Sequence, residues 1–341
     1  MARIIDIAKA AQVSTATVSR ILSEDPSLSV SDETRKRVRE IAREMGYRPE
    51  RRRKKKPAKE KGINPIGMVL VNDEAADPYF RFIREGIESV CENYSMQIAS
   101  VFQVGRSDFS RESMAHLDGL LVIGDVNIQE LIGVFGEKKP IVYVDFIPDE
   151  AHDAVVSDLE SAMARILDYL VGLGHSRIAY VGGNGRIMNI SRGELIEKED
   201  VRLKAFRRMM KEKGLFRPQY VKIGEFSSQS GCDLMKELLT EEEIPSAAVA
   251  GSDPIAIGAL KAIHEASVRV PEDLSIVSFD DIEAAAFLNP PLSTVRVHTE
   301  EMGRTAVKLL RDRLTTGREL PLKVVLPTEL VLRESSGINN S

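Results

Sequence analysis

Acidic, cationic and aromatic side chains recur at the ends of apolar runs after residue 60. They are Asp73, Asp145, Phe226, Asp253 and Asp280, with Arg202 at the start of an amphipathic stretch. Carboxylates and a guanidinium bind neighbouring hydroxyls in planar pairs, and an aromatic face covers apolar C–H groups, so this set suits a sugar ring. Each carboxylate taken singly could instead be a helix cap or a loop residue, and only the shared position at strand ends favours a ligand.

The same region lacks the spacing of an enzyme or a metal site. Asp280 and Asp281 are adjacent, so their side chains leave a strand in different directions, and no nucleophile motif accompanies them. The GGNG at 182–185 lacks the rest of a phosphate loop and predicts a plain turn. The five histidines are scattered, and Cys91 and Cys232 have no short spacing to another ligand. We therefore expect no catalysis, cofactor or metal, and two free buried thiols.

Alternating apolar runs and amphipathic stretches indicate the elements that position these side chains. Helical periodicity separates runs such as IGMVLVN, GLLVIGD, PIVYVDF, RIAYVGG and LSIVSFDD. Continuous β-branched runs between helices are typical of parallel sheets covered on both faces. Two such series predict two doubly wound subdomains. Ligands of such folds lie where the carboxyl ends of the strands face each other.

Charge is distributed unevenly along the 341 residues. Residues 1–61 contain 17 Lys and Arg against 9 Asp and Glu, a net +8, whereas the other 280 contain 30 against 43, a net −13. Only the amino-terminal part is therefore expected to bind a polyanion, although a solvated basic tail without a partner would have the same composition. No secretory signal or membrane-length apolar run is visible, so we expect a cytoplasmic protein with no membrane partner.

The basic amino-terminal part reads as three short helices. The pattern predicts helices over residues 4–11 and 15–22, joined by a tight turn, and a third from near Ser31 that ends at Gly46. The second helix has an apolar face around Val18 and a polar face around Arg20. Val38, Ile41, Ala42 and Met45 form the predicted apolar stripe of the third. Two helices, a tight turn and a bracing helix describe a helix-turn-helix, whose second helix fits a DNA major groove.

The run IIDIAKAAQVSTATVSRILSEDPSLSVSDETRKRVREIAREMGYRP resembles the N-terminal headpiece of the LacI/GalR family of bacterial repressors. The resemblance implies that six residues contact a double-stranded DNA operator: Thr15, Ala16 and Arg20 at bases, and Ser14, Thr17 and Ser19 at phosphates. Arg20 has the donor pair that guanine requires. Gln12 departs from the family, which usually has Gly in this turn, so a left-handed backbone at Gln12 would be strained.

The basic run RRRKKK at 51–56 is a second departure from the family. Arg53 and Lys56 occupy the places of an Ala and of a Leu that wedges into the minor groove. Basic side chains cannot wedge in this way, but they can neutralise phosphates. We therefore expect a basic tether that contacts DNA through Arg51, Arg52, Arg53 and Lys54. A flexible linker that contacts nothing remains the alternative.

Motifs of the body, including DYLVGLGHSRIAYVGG, VRLKAF and VPEDLSIVSFDD, extend the resemblance over nearly the whole chain. It implies an all-α headpiece (1–48), a hinge (49–62) and an α/β core like the periplasmic sugar-binding proteins. The expected core subdomains are 63–157 with 287–318, and 158–286 with 319–335. Arg202 and Asp280 match regular effector contacts, while Asp145, Phe226, Ser252 and Phe80 match lining positions. Ser252 stands where sugar-binding relatives often have Asn, which weakens that assignment.

The resemblance implies a repressor that a small sugar relieves. We expect a homodimer with an interface near residues 78–91, because one three-helix head buries little surface and two heads can read a palindromic operator. The stretch PIVYVDFIPDEAHDAVVSDLESAMARILDYLVGLGH is similar to galactose-operon repressors of Gram-positive bacteria, so galactose or a galactoside is the first choice. A purine effector is less favoured, because ELIEKED replaces the Arg and Thr of the purine-sensing branch. A sugar-binding carrier or sensor without DNA binding is the rival from another class.

Overall fold

A computed structural model describes residues 4–22, 30–45, 62–71, 78–190 and 195–339. The chain divides into two compact units, Met1–Glu60 and Lys61–Ser341. Several predicted features lie outside the described residues. These are the hinge contacts Arg51, Arg52, Arg53 and Lys54, the helix-ending Gly46 and the candidate ligand residue Asp73.

The described residues of the first unit form three helices at the predicted positions. They are α1 (Ile4–Ala11), α2 (Thr15–Leu22) and α3 (Asp32–Glu44). The Ser31 hydroxyl accepts the N–H of Thr34 at 3.3 Å and caps α3. Seven buried side chains form the core between the helices: Ile7, Ala8, Ala11, Val18, Ile21, Val38 and Ala42. Met45 does not join the predicted apolar stripe. It is 41 % exposed because it forms the carboxyl-terminal cap of α3.

The second unit contains two six-stranded sheets, in the orders β13-β5-β4-β3-β1-β2 and β14-β12-β11-β10-β6-β9. All pairs within them are parallel except β12 with β14. The first-sheet strands are β1 (Asn64–Leu70), β2 (Met96–Gln103), β3 (Gly119–Ile123), β4 (Ile141–Val144), β5 (Asp153–Ser157) and β13 (Lys323–Leu326). Those of the second sheet are β6 (Ile178–Gly183), β9 (Val221–Gly224), β10 (Ala247–Ala250), β11 (Ser275–Asp280), β12 (Ser293–Arg296) and β14 (Glu329–Val331).

Helices cover both faces of both sheets. The first sheet is flanked by α4 (Pro78–Cys91), α5 (Arg111–Met114), α6 (Ile128–Phe135) and α11 (Thr299–Thr316). The second is flanked by α7 (Leu159–Gly172), α8 (Val201–Glu212), α9 (Ser228–Leu238) and α10 (Asp253–Glu265). A separate antiparallel hairpin of β7 (Gly185–Met188) and β8 (Leu195–Lys198) was not foreseen. Each sheet has a buried apolar cluster on either face, which confirms the doubly wound fold.

The chain passes between the two subdomains three times, after β5, β12 and β13. The last two crossings differ from the predicted boundaries. Residues 293–296, predicted for the first subdomain, pair as β12 with β11 of the second sheet. Residues 323–326, predicted for the second, pair as β13 with β5 of the first. The physical reason is strand pairing between segments that are distant in sequence, because β12 adds a parallel strand beside β11 and β13 adds one beside β5, and helix periodicity does not reveal such pairings.

One helix pair in each subdomain packs at backbone distance through glycines. A β-carbon on Gly86 of α4 would lie 2.1 Å from the Glu300 carbonyl oxygen of α11, and one on Gly303 would lie 2.2 Å from that of Ile83. In the second subdomain, a β-carbon on Gly258 of α10 would lie 1.8 Å from the Ser228 carbonyl oxygen of α9. Neither pair can accept a side chain there, so each subdomain is tightly held internally.

Asp153 ties the end of α11 to the first sheet. Its carboxylate is fully buried and pairs with Arg313 at 2.9 Å and with Arg318 at 2.8 Å. It also accepts the N–H of Leu322 at 2.6 Å. Burial raises the pKa of Asp153, but hydrogen bonds from Arg318 and Arg313 outweigh that effect and lower the pKa to about 2.

Asp153→Asn is expected to lower the free energy of unfolding at pH 7 by about 3 kcal/mol, because it leaves two partly buried guanidinium groups without their carboxylate. Since the folded-state pKa is depressed, this stabilisation is present above the ordinary pKa and disappears as the pH falls through about 2. Urea denaturation measures both effects. The matched control is Asp312→Asn, which removes an exposed partner of Arg318 and should cost less than about 1 kcal/mol. Equal stability of Asp153→Asn and wild type at pH 7 would contradict the assignment.

Candidate functional site

The predicted DNA contacts lie together on the outer face of α2. Val18 and Ile21 are buried against the other two helices, and the opposite face points to solvent. The solvent-facing set contains Ser14, Thr15, Ala16, Ser19 and Arg20, which are exposed, and Thr17, which is half-buried. The amphipathic pattern of α2 therefore leaves five of these six side chains exposed.

The turn before α2 fixes the start of that helix. Gln12 has a φ of 53°, which lies in the left-handed region. A side chain is strained in that conformation, as the presence of Gln in place of the family's usual Gly predicted. The N–H of Val13 donates to the Ala8 carbonyl at 3.1 Å. The Ser14 hydroxyl accepts the N–H of Thr17 at 3.1 Å and lies 2.8 Å from the Thr17 hydroxyl. Ser14 is thus the amino-terminal cap of α2.

A second candidate site lies between the carboxyl ends of the strands of the two sheets, the space called the cleft below. Arg202 stands in the first turn of α8, whose amino-terminal cap is Asp200. Its Nε and Nη2 donate to the two oxygens of Asp200 at 2.8 and 2.9 Å, and its Nη1 donates to the Gly251 carbonyl at 2.8 Å. These bonds use three of the five N–H groups of the guanidinium. Arg202 is therefore held in one orientation.

Aromatic rings support the guanidinium of Arg202. Its central carbon lies 4.8 Å from the ring centre of Phe226 and 5.9 Å from that of Phe279. Burial lowers the pKa of Arg202, but the charge and hydrogen bonds of Asp200 outweigh it, so the pKa lies well above its ordinary value. Burial raises the pKa of Asp200, and the charge of Arg202 reverses the effect and lowers it. Both groups therefore stay charged at neutral pH.

Two further carboxylates occupy strand ends with unusual backbone angles. Asp145 directly follows β4 with φ 77°, and Asp280 ends β11 with φ 110°. The Tyr79 hydroxyl donates to Asp145 at 2.6 Å. Burial and then Asp145 raise the pKa of Tyr79, and the charges of Asp280 and Arg202 act on the same hydroxyl. Tyr79 and Asp145 of the first subdomain therefore face Asp280 and Arg202 of the second.

The side chain of Asp253 is directed into the protein and not into the cleft, where it was predicted to contact a ligand. It is fully buried, and its carboxylate accepts the Thr294 hydroxyl at 2.7 Å, the Ile282 N–H at 2.9 Å and the Ser278 hydroxyl. Burial raises its pKa to about 6. Its N–H donates to Asp280 at 3.4 Å. Because these bonds occupy its oxygens, Asp253 is not placed to bind a ligand. Its bonds to Ser278, Ile282 and Asp280 instead support the end of β11 that carries Asp280.

Ser252 is likewise a supporting residue. It is 2 % exposed, and its hydroxyl accepts the Ile255 N–H at 3.4 Å as the cap of α10. Phe80 is half-buried and stacks edge-on against Tyr79, with ring centres 5.1 Å apart. The structure thus brings together Arg202, Phe226, Asp280 and Asp145, places Phe80 beside them, and puts Ser252 and Asp253 beneath them.

Three contributors to the cleft were missed from the sequence: Tyr79, Asp200 and the Gly251 carbonyl. Asp200 had a readable signal, because an aspartate directly before the amphipathic VRLKAF stretch is a typical helix cap. Tyr79 and Gly251 had none, since their roles depend on contacts between distant segments.

No group of three or more potential metal-ligating side chains occurs among the described residues. None of the described helices combines the length and the apolar character that crossing a membrane requires. Cys91 and Cys232 are free and buried, as expected.

Comparison with known proteins matches both units. Residues 3–50 match the family model of bacterial regulatory proteins, lacI family, and residues 167–336 match that of a periplasmic binding protein-like domain. The HTH-type transcriptional repressor MelR of Bacillus subtilis (strain 168) is 44 % identical over 99 % of this chain and 98 % of its own length. The HTH-type transcriptional regulator GalR of Lacticaseibacillus casei is 34 % identical over 98 % of this chain and 100 % of its own.

Solved structures agree with this assignment. The transcriptional regulator CelR, in its cellobiose complex, superposes with a TM-score of 0.68 at 27 % identity, over 98 % of this chain and 100 % of CelR. The lac repressor dimer bound to operator and the anti-inducer ONPF superposes with a TM-score of 0.67 over 98 % of this chain and 99 % of its own, and at 24 % identity it shows the shared fold. The chain therefore belongs to the lacI family of bacterial regulatory proteins, as a DNA-binding transcription regulator and not an enzyme.

Proposed function

We propose that the chain represses a sugar-utilisation operon. It binds the operator through α2 and releases it when galactose or a galactoside occupies the cleft. The observation that carries this proposal is the oriented guanidinium of Arg202, which lies with Asp280 on the second subdomain and faces Tyr79 and Asp145 of the first. One guanidinium donor together with two carboxylate acceptors suits a ring of hydroxyls.

The DNA side of the proposal rests on the exposed face of α2. Arg20 would donate two hydrogen bonds to a guanine, while Thr15 and Ala16 contact neighbouring base edges. Ser14, Thr17 and Ser19 would hold the helix on the phosphates. The basic run at 51–56 would add phosphate contacts without a wedge, so less kinking is expected than in relatives with a Leu there.

The sugar side rests on the groups that remain available in the cleft. Arg202 has one N–H left on each terminal nitrogen after its bonds to the described residues. Phe226 is half-buried beside it and can cover the apolar face of a ring. The cellobiose complex of CelR, which superposes over 98 % of this chain, supports a sugar effector.

The coupling requires two heads that act together. We propose a homodimer whose interface includes the region of α4, because a palindromic operator presents two half-sites about one helical turn apart. Closure of the cleft on sugar would change the spacing of the heads. A coupling of roughly 1 to 3 kcal/mol would change operator affinity about 5- to 150-fold.

Arg20→Ala should remove the preference for the selected operator over an unrelated duplex, since a bidentate contact to a base contributes about 1 to 3 kcal/mol of discrimination. A gel shift with duplexes selected from a random pool measures it. Lys36→Ala, which removes an exposed charge from α3, is the matched control and should keep the preference. Unchanged selectivity of Arg20→Ala would exclude α2 as the reading helix. If the wild type bound no duplex at any salt concentration, the alternative of a sugar-binding carrier without DNA binding would be favoured.

Asp280→Asn should abolish the response to galactose and leave operator binding intact. Asn is chosen because it, like Asp, tolerates a positive φ better than Ala. A saturating sugar at 100 times its Kd stabilises the wild type by about 2.7 kcal/mol, which a thermal shift detects. Asp233→Asn, on the exposed face of α9, is the control and should behave as wild type. A full response in Asp280→Asn would exclude this carboxylate as a sugar contact.

A further inference from the structure

The unforeseen hairpin of β7 and β8 contacts both subdomains. It follows β6 directly and belongs by sequence to the second subdomain. Its backbone nevertheless bonds to the first: the Met188 N–H donates to the Asp125 carbonyl at 2.9 Å, and the Asn127 N–H donates to the Met188 carbonyl at 2.8 Å. The Asn127 amide also donates to the Asn189 side-chain oxygen at 2.9 Å. Residues 185–190 and 195–198 are called the strap below.

Apolar side chains anchor the strap in the core of the first subdomain. Met188 and Ile190 pack with Val126 and Leu131 in the apolar cluster on one face of the first sheet. Ile190 is only 9 % exposed, whereas Leu195 on the other strand of the hairpin is 50 % exposed. The strap is therefore attached through Met188 at the end of β7 and Ile190 just after it, by side chains as well as by backbone.

Lys198 at the end of β8 lies between the two subdomains. Its ammonium pairs with Asp125 of the first subdomain and lies 5.7 Å from the ring centre of Phe146. Burial lowers the pKa of Lys198, and the charge of Asp200 opposes that effect. Asp200 is the residue that orients Arg202. The ammonium of Lys198 thus attracts one carboxylate of each subdomain, Asp125 and Asp200. The second of these, Asp200, holds the guanidinium of Arg202.

The base of the strap is attached to the other cleft wall. Arg186 pairs with Glu225, which directly precedes Phe226. The Asn184 amide donates to Glu197 at 3.3 Å, across the hairpin. A displacement of the strap would therefore also move the segment that carries Phe226, in addition to acting on Asp200.

We propose that the strap is a latch that keeps the cleft closed over its ligand, and that Lys198 is a positioning residue linking this latch to the Asp200–Arg202 pair. The proposal rests on the proposed function, in which a sugar occupies the cleft. The three chain crossings leave the subdomains free to hinge, and the strap adds a fourth connection that can break and reform. Opening must withdraw Met188 and Ile190 from the first subdomain and separate Lys198 from Asp125, so the strap slows ligand exit.

Amide hydrogen exchange of the full-length protein without sugar tests the latch directly. Peptides that contain Met188 and Asn127 should be protected in the wild type, and Ile190→Ala should speed their exchange about tenfold through loss of the buried side chain. Leu195→Ala, on the exposed strand of the same hairpin, is the matched control and should exchange as wild type. Peptides from β1 and β3 report whether Ile190→Ala has loosened the whole subdomain. Fast exchange at Met188 and Asn127 in the wild type would overturn the latch.

The role of Lys198 is tested with galactose as the probe. Lys198→Met should release galactose up to about fivefold faster, the range of an exposed ion pair, without unfolding the hairpin. The double variant Lys198→Asp with Asp125→Lys reverses the pair with Asp125 but places a negative charge beside Asp200, so it should not restore slow release. Slow release in this double variant would show that Lys198 acts only through Asp125 and would overturn its link to Arg202. If release is unchanged in Lys198→Met, the link to Arg202 is wrong. If the wild type binds no galactose while the exchange difference persists, the proposed sugar is wrong and the latch is supported.

Discussion

The fixed orientation of the Arg202 guanidinium is the interaction on which the cleft depends. Asp200 starts α8 as its cap and holds Arg202 with the same carboxylate, so forming the helix also orients the donor. The Gly251 carbonyl and Phe226 hold it from the side of the sheet. A ligand therefore meets hydrogen-bond donors that need no further ordering, which lowers the entropic cost of binding.

The two carboxylates that share the cleft with Arg202 are held at an energetic cost. Asp145 and Asp280 both adopt a positive φ, which non-glycine residues avoid and which tends to persist at functional sites. Tyr79 fixes the first, and the buried Asp253 supports the loop of the second. The glycine contacts of α4 with α11 and of α9 with α10 keep each subdomain rigid. Relative motion is thus confined to the crossings between subdomains, where a ligand can control it.

Local patterns predicted much of this structure. The helix caps, the apolar periodicity of α1 to α3 and the continuous apolar strands gave the helix-turn-helix and both doubly wound sheets, and the strained turn at Gln12 followed from its side chain alone. Arg202, Phe226 and Asp280 lie together, as the convergence of strand ends and helix starts in this fold predicts, and their contact with a ligand stays a prediction. Asp253 was misplaced, since a strand-end carboxylate gives no sign of whether it faces outward. Tyr79, the short strands β12 and β13 and the hairpin depend on pairings between distant segments, which a sequence pattern does not contain.

The proposed mechanism of repression requires that ligand binding in the cleft and DNA binding by the head be thermodynamically coupled in one molecule. The direct measurement is the Kd of galactose for the full-length protein, free and saturated with its selected operator duplex, at one salt concentration. Linkage requires that DNA weaken the binding of the sugar by the same factor by which the sugar weakens the binding of DNA, typically about 5- to 150-fold. Identical galactose Kd values with and without the operator would contradict the coupling.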